Sequence, residues 1–288
     1  MRHHLSAGQK ISFYLGYFFH KVFLNWFEVE RPKLGMFLYE LKYSLMKFAD
    51  YESQVPGPSG ISQVETRFGR FKIRPGTSDM AMVSPAFERR DVGYFLKIIA
   101  GLLADGKKVL FLDIGADIGT FSVIVGNRFK GNGGLFITAF EPSASSFALL
   151  RENLKLNGLE AELVNTALWS EDGKELNFIF DPEKPGSSGL HASGERNTSQ
   201  KVITATLDTV IGERIASFDA FVLKMDVEGV EEDILRGAER LIGSGKEIYL
   251  LVEDFIRPKI MDYLEETGAR FITKLTPYNS FWKYEKSR

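Results

Sequence analysis

The sequence predicts an α/β fold, a doubly wound and mostly parallel sheet preceded by an N-terminal helical appendage. Three observations predict it. Val109–Leu112 is an apolar run too short for a helix, closed by Asp113 and a glycine turn, as a strand buried on both faces of a parallel sheet reads. From there onward, short apolar runs alternate with helical patterns, the sign of successive strand–helix crossovers. Gln54–Gly60 (QVPGPSG) is rich in breakers and divides an appendage, residues 1–58, from the main domain, residues 59–288.

In the appendage, Ile11–Glu28 is aromatic-rich but interrupted by His20, Lys21 and Asn25. It is neither a cleavable leader nor an apolar span long enough for a bilayer. Two readings stand. The segment packs as a helix on the main domain or on a second subunit, as in a homodimer. Alternatively, residues 11–28 rest on a membrane surface, flanked by Arg2, Lys10, Lys21, Arg31 and Lys33. Leu34–Phe48 then presents Phe37, Leu41, Leu45 and Phe48 at helical spacing.

Beyond the linker, Val64–Ile73 reads as a hairpin turning near Gly69, Arg74–Asp79 as the start of a loop, and Phe87–Leu103 as a helix. After the Val109 strand, Phe121, Val123, Ile124 and Val125 suit a helix laid against the sheet. Leu135–Phe140 is the second strand, ending in Glu141-Pro142. A helix follows, with Ser143 as N-cap and Gly158 as stop. Glu162–Asn165 reads as the third strand, and Lys174–Ile179 as a further extended piece. Asp181–Gln200 is poor in apolar residues and too long for an idle connector, so it reads as a lid or binding loop. Val202–Leu207 and Phe218–Met225 read as strands. The helix after Gly229 carries Glu231, Glu232 and Asp233 in its first turn, with Ile234, Leu235, Ala238, Leu241 and Ile242 as its buried stripe. Glu247–Val252 is a strand, Ile260–Thr267 a helix, and Arg270–Tyr284 closes the sheet.

Composition removes several classes of function. A net charge of −2 supplies no global basic field for nucleic acid. With no cysteine there is no disulfide framework, thiolate metal site or cysteine nucleophile. Four histidines, three within the first 20 residues, do not form a histidine-rich metal centre, and no metal is assigned. The expected compartment is the cytoplasm.

The loop after Val109–Asp113 narrows the ligand. A dinucleotide fingerprint needs glycine where Asp117 and Thr120 stand. Here a carboxylate would face the phosphates, and the loop has no lysine to offset it. Nor is there the Gly-Lys-Ser/Thr of an ATP-binding loop. An acid at the strand end with the turn Gly115, Ala116, Asp117 and Gly119 suits a ligand with a cationic centre, an ammonium and a ribose, such as S-adenosylmethionine. Loops of this kind also serve as plain turns.

Glu141 follows Gly119 by 22 residues and ends the second strand, where an acid can accept from both ribose hydroxyls. Asp226 and Glu228 straddle Val227 at a strand end, after Lys224. One acid there is explained by helix capping. Two suit a general base for an acceptor hydroxyl that must lose its proton. Asp226 with Glu253 or Asp254 also has the chemistry for a hard divalent cation.

At these residues the chain resembles the FkbM-type S-adenosylmethionine-dependent methyltransferases. The resemblance is carried by LDIGADIGTFS, FEPSASSFALLRENLKLNGL, VNTALWSEDG, SSGL, TLDTVI (there a strand) and LKMDVEGVEEDILRGAERLI, in order from about Arg74 to Asp254. It implies a class I methyltransferase (Rossmann-like) fold and O-methyl transfer to a hydroxyl of a sugar, glycan, glycolipid or natural product. Asp113, Gly115, Ala116, Asp117 and Gly119 then hold the methionine part of the cofactor and Glu141 its ribose. Asn165, Thr166 and Ala167 lie near the adenine, and Lys224, Asp226 and Glu228 face the acceptor. Asp117 stands where the family often has asparagine. Phe255 stands where it often has histidine, which shifts weight for the base onto Asp226 and Glu228. A nucleic-acid acceptor, or a non-catalytic assembly role on a membrane, are the competing expectations.

Overall fold

In a computed structural model, the structure describes residues 61–74, 77, 79–83, 88–180, 189, 198–254, 259–276 and 279–285. The appendage, with Ile11–Glu28 and Leu34–Phe48, lies outside them, as does most of the expected lid Asp181–Gln200. No helix among the described residues is long and apolar enough to cross a membrane.

The chain opens with an antiparallel hairpin, β1 (Ser62–Thr66) and β2 (Gly69–Ile73), turning just before Gly69. A short helix α1 (Asp79–Met82) and the long helix α2 (Arg89–Ala104) lead into β3 (Val109–Ile114). Then come α3 (Thr120–Arg128), β4 (Leu135–Phe140), α4 (Ala144–Asn157), β5 (Glu162–Val164), β6 (Ala167–Leu168), β7 (Glu175–Phe180) and β8 (Thr198–Ala205). Helix α5 (Leu207–Ile211) precedes β9 (Ala220–Met225), α6 (Glu231–Arg236), α7 (Glu239–Ile242) and β10 (Glu247–Glu253). Helix α8 (Lys259–Glu266), β11 (Arg270–Lys274) and β12 (Asn279–Tyr284) finish the fold.

Seven strands form the central sheet in the order β11-β12-β10-β9-β3-β4-β5. β10, β9, β3, β4 and β5 run parallel, and β12 pairs antiparallel with both β10 and β11. The order reverses at β3, with β4 on one side and β9 on the other. An open α/β sheet binds ligands at such a point, outside the carboxyl ends of its strands.

β3 shows why the apolar runs are continuous. Val109 and Phe111 pack into one core layer with Phe95 and Phe121, while Leu110, Leu112 and Ile114 pack into the other with Leu223 and Trp282. Both faces are covered, so no polar alternation survives.

Three local expectations are corrected. The TLDTVI segment is not a strand: Leu207–Ile211 is helical, because the Thr206 hydroxyl caps it by accepting from the Thr209 N–H at 3.1 Å. The strand expected at Val202–Leu207 accordingly stops at Ala205, and it starts at Thr198, inside the expected lid. The helix expected from Gly229 to Gly243 is two short ones, α6 and α7. Gly237 lies between them against the backbone of Trp169, where a Cβ would collide with the carbonyl oxygen. The extended piece Lys174–Ile179 belongs to a separate three-stranded sheet, β6-β8-β7.

The hairpin is fixed to α4 by two buried asparagines. Asn153 accepts from the Lys72 N–H at 2.6 Å and donates to the carbonyls of Lys72 (3.1 Å) and Ile118 (2.8 Å). Asn157 accepts from the Arg70 N–H at 3.0 Å and donates to the Arg70 carbonyl at 2.7 Å. Leucine at position 153 would strand these peptide groups without partners. Asn153→Leu is expected to lower the unfolding free energy by about 2–4 kcal/mol in urea titrations. A loss below about 0.5 kcal/mol would show that water replaces the amide without penalty.

Candidate active site

The loop leaving β3 is shaped by its contact with the loop leaving β9. Gly115 has φ 73°, and a Cβ there would collide with the backbone oxygen of Asp226. The Gly115 and Ala116 N–H groups both donate to the Phe140 carbonyl, at 3.1 and 2.9 Å. Gly119 has φ 85°, a left-handed backbone that favours glycine, and a Cβ there would press on the end of the Leu150 side chain. Between them Asp117 holds a left-handed φ of 46°, a backbone state costing ~1–3 kcal/mol that concentrates at functional sites.

Asp113 is fully buried under this loop. Its Oδ2 accepts from the Ser122 N–H (2.9 Å) and hydroxyl (2.6 Å), which pins the start of α3. On the neighbouring strand Lys224, 5% exposed, donates to the Gly115 carbonyl at 2.7 Å and stands 3.8 Å from Asp113 and 3.4 Å from Asp226. Burial opposes its charge, but Asp226, Asp113 and Glu88 outweigh burial and raise its pKa. The ammonium therefore stays protonated and is not a base.

A pocket opens at this edge of the sheet. Of the residues the sequence singled out, Gly115, Asp117, Glu141, Thr166, Ala167 and Asp226 line it. Asp113, Ala116, Gly119, Lys224, Glu228 and Asn165 do not. Asn165 clamps the turn after β4: its amide donates to the carbonyls of Glu141 (2.7 Å) and Pro142 (3.2 Å). Lys224 supports the loop through its hydrogen bond to the Gly115 carbonyl, beside Asp226. Glu141 accepts from the N–H groups of Asp117 and Ser143, both at 2.8 Å, and burial pushes its pKa up to about 8.

The acids after β9 are not helix caps. Val230 occupies the N-cap position of α6, which has no side-chain cap, and Glu231 accepts from the Gly229 N–H at 3.3 Å. Glu228 has φ 56°. Oxygens of Asp226, Glu228 and Glu253 come within 4.8 Å of one another, a spacing that also suits a hard cation. Glu253 Oε2 is buried with no hydrogen-bond partner among the described residues. Asp254 is not in this group; it pairs with Lys274.

Sequence reasoning missed two contributors. Arg74, expected only to begin a loop, donates to Asp117 Oδ1 at 2.8 Å and to both oxygens of Asp79 at 2.9 Å. Asp117 thus has a cationic partner from outside its loop, from a residue 43 positions away that no local signal marks. Gly189, from the SSGL segment, bridges Ile179 and lines the pocket, and a Cβ on it would stand 3.1 Å from Glu228 Cβ.

Residues 113–271, more than half of the chain, match the Methyltransferase FkbM domain. The chain belongs to the FkbM methyltransferase family. Its α/β sheet is the class I methyltransferase fold that membership implies. The chain is similar to Methyltransferase 1 of Beauveria bassiana (strain ARSEF 2860), 26% identical over 146 residues that make up 44% of this chain and 57% of that protein. Among solved structures it is similar to the Pyrococcus abyssi tRNA (uracil-54, C5)-methyltransferase in complex with S-adenosyl-L-homocysteine. That likeness has a TM-score of 0.41 and 12% identity, over 78% of this chain and 44% of the other. It is also similar to a T. thermophilus 16S rRNA N2 G1207 methyltransferase in complex with AdoMet and guanosine (TM-score 0.42, 14% identity, 79% of this chain and 50% of the other). The chain thus spans little more than half the length of these relatives, or less.

The FkbM site concentrates carboxyl groups that burial holds above their ordinary range: Glu228 and Glu231 at about 7, Glu88 at about 8 and Glu253 at about 9. Because these values exceed those of the unfolded chain, the native state keeps protons that the unfolded chain releases. The stability they carry is whole below the ordinary carboxyl range and is lost as pH climbs through the folded values. Thermal melts without ligand are expected to show Tm falling from about pH 6 to about pH 9, and Glu253→Gln is expected to flatten that fall. A Tm that is level or rising across this window in the unaltered protein would overturn the assignment of these protons.

Proposed function

We propose that this chain binds S-adenosylmethionine in the pocket and transfers its methyl group to a hydroxyl of a sugar, glycan, glycolipid or natural product. Family membership supports the methyl transfer. One observation carries the choice of a hydroxyl acceptor. Asp226, Glu228 and Glu253 gather beside the Gly115 turn, and no helix cap employs Asp226 or Glu228.

The residues present fit the cofactor. Gly115, kept bare by the Asp226 backbone, lines the pocket with Asp117 and Glu141, which bring two carboxyl groups to its wall, and Asp117 Oδ2 is buried with no partner among the described residues. When bound, the cofactor supplies an electrophilic methyl on a sulfonium. The chain's own task is to align an acceptor oxygen and remove its proton. Glu228, held at about 7, is poised to accept that proton near neutrality. Lys224, fixed on Gly115, keeps the two strand-end loops in register. Phe140, Leu168, Phe178 and Ile234 give the pocket an apolar wall that excludes water. The net charge of −2, with no global basic field, disfavours nucleic acid.

A methyl-donor turnover assay over a panel of glycans and metabolites, with and without EDTA and with an RNA arm, tests this reading. Methylation at a hydroxyl of a panel compound is expected, and methylation of RNA alone would replace the acceptor class. Asp226→Ala and Glu228→Ala are expected to lower kcat about 100-fold with adenosylhomocysteine affinity little changed. The rate should rise with pH through about 7, where Glu228 loses its proton. Undiminished turnover in both variants would remove the base from these acids.

A further inference from the structure

The hairpin and helix α4 enclose a groove of about 430 Å³ that is separate from the pocket. Ser145, Ala148, Leu149 and Glu152 form its helix wall, spaced three and four apart so that they fall on one stripe of α4. Ile61 and Gln63 stand on the hairpin side. Leu149 is 6% exposed, and Ile61 and Ala148 are half-buried, so the floor is apolar. Lys72 and Glu152, which also line the groove, pair at 2.8 Å with both side chains exposed. An apolar floor inside a polar rim is the anatomy of a protein contact.

The occupant follows from where the chain enters. Ile61 is the first described residue and stands in the groove wall, so residues 1–60 leave from the groove itself. Within them Leu34–Phe48 carries Phe37, Leu41, Leu45 and Phe48 at helical spacing. A helix over that segment is about 22 Å long, and α4, of 14 residues, is about 21 Å. Residues 49–60, fully extended, reach about 40 Å, enough to return the segment along the whole of α4. A tether this short supplies the segment at roughly millimolar effective concentration. A small apolar floor is then sufficient, whereas a free partner or a second copy needs an interface of about 1,000 Å² or more.

We propose that Leu34–Phe48 docks its apolar stripe in the groove between the β1–β2 hairpin and α4 of its own chain. Arg74 lines the groove and holds Asp117, which lines the pocket. The docked segment therefore stands one side chain away from the candidate site.

The chain has no cysteine, so an introduced pair is the sole source of a disulfide. In the full chain, Leu41→Cys or Leu45→Cys is combined with Ala148→Cys, and closure under mild oxidation is followed by peptide mass and by mobility without reductant. Leu41→Cys with Phe271→Cys is the reference pair. Phe271 is 43% exposed on β11, at the opposite edge of the sheet from the β4–β5 crossover that α4 makes. At least one groove pair is expected to close within a single chain tenfold faster than the reference. If Ala148→Cys does not fold, the exposed Ser145→Cys takes its place. Groove pairs that close no faster than the reference would overturn the proposal. If the unreacted chain then also cosediments with phosphatidylserine vesicles, the segment belongs to a membrane surface instead. Closure between two chains, at a rate that rises with protein concentration, would overturn the proposal as well, by giving the groove to a second copy.

Discussion

The site depends on one buried cation. Lys224 stands where β9 runs beside β3, opposite Asp113, and its ammonium is the near neighbour of two carboxylates and the Gly115 carbonyl. A charge so placed is tolerated only because those partners replace its lost hydration. The same contacts tie the glycine loop after β3 to the acidic turn after β9. Gly115 has no side chain because the Asp226 backbone occupies the space one would need. The cofactor side and the acceptor side of the pocket are therefore one mechanical unit, and displacing either loop would strand a buried charge.

One ammonium does not balance the acids around it. Asp113 and Asp226 draw on it directly, while Glu228, Glu231, Glu253 and Glu88 sit in the same field with little else to offset them. Burial then makes retained protons the cheaper solution, as expected for like charges in a common low-dielectric space. For the proposed transfer to a hydroxyl, in which a group takes the acceptor's proton, this is useful. A carboxyl poised near neutrality accepts and returns a proton more readily than one that is always ionised. Two strained positions, Asp117 at φ 46° and Glu228 at φ 56°, fall on the two loops this arrangement joins.

Much of this was legible in the sequence, for a physical reason. Strands covered on both faces leave continuous apolar runs, so β3, β4, β9 and β10 announced themselves, and so did the acids and glycines at their ends. What was hidden depends on contacts between distant segments or on competition among local ones. TLDTVI has the apolar content of a strand, and the Thr206 cap turns it into a helix. Helix α6 ends because Gly237 must pass the Trp169 carbonyl, a constraint no periodicity records. Asn165 sits in the expected stretch yet spends its amide on the Glu141-Pro142 turn. Arg74 carried no motif at all.

That last omission bears on where the functional unit begins. The breaker-rich linker leads the sequence reading to expect the domain from residue 59, whereas the family match begins only at Asp113. The β1–β2 hairpin lies between these points and is no mere ornament of the sheet. Asn153 on α4 hydrogen-bonds at once to Lys72 in the hairpin and to Ile118 in the glycine loop, and Arg74 at the hairpin's end grips Asp117. The loop is therefore held from the sheet side by Lys224 and from the hairpin side by Arg74 and Asn153. A loop held on two sides resists the outward swing that a glycine-containing turn otherwise allows. Rigidity of this kind lowers the ordering cost of binding a flexible, zwitterionic ligand. A chain cut at the start of the family match would keep the glycines and the acids but lose one of the two holds, so the hairpin is part of what fixes the loop.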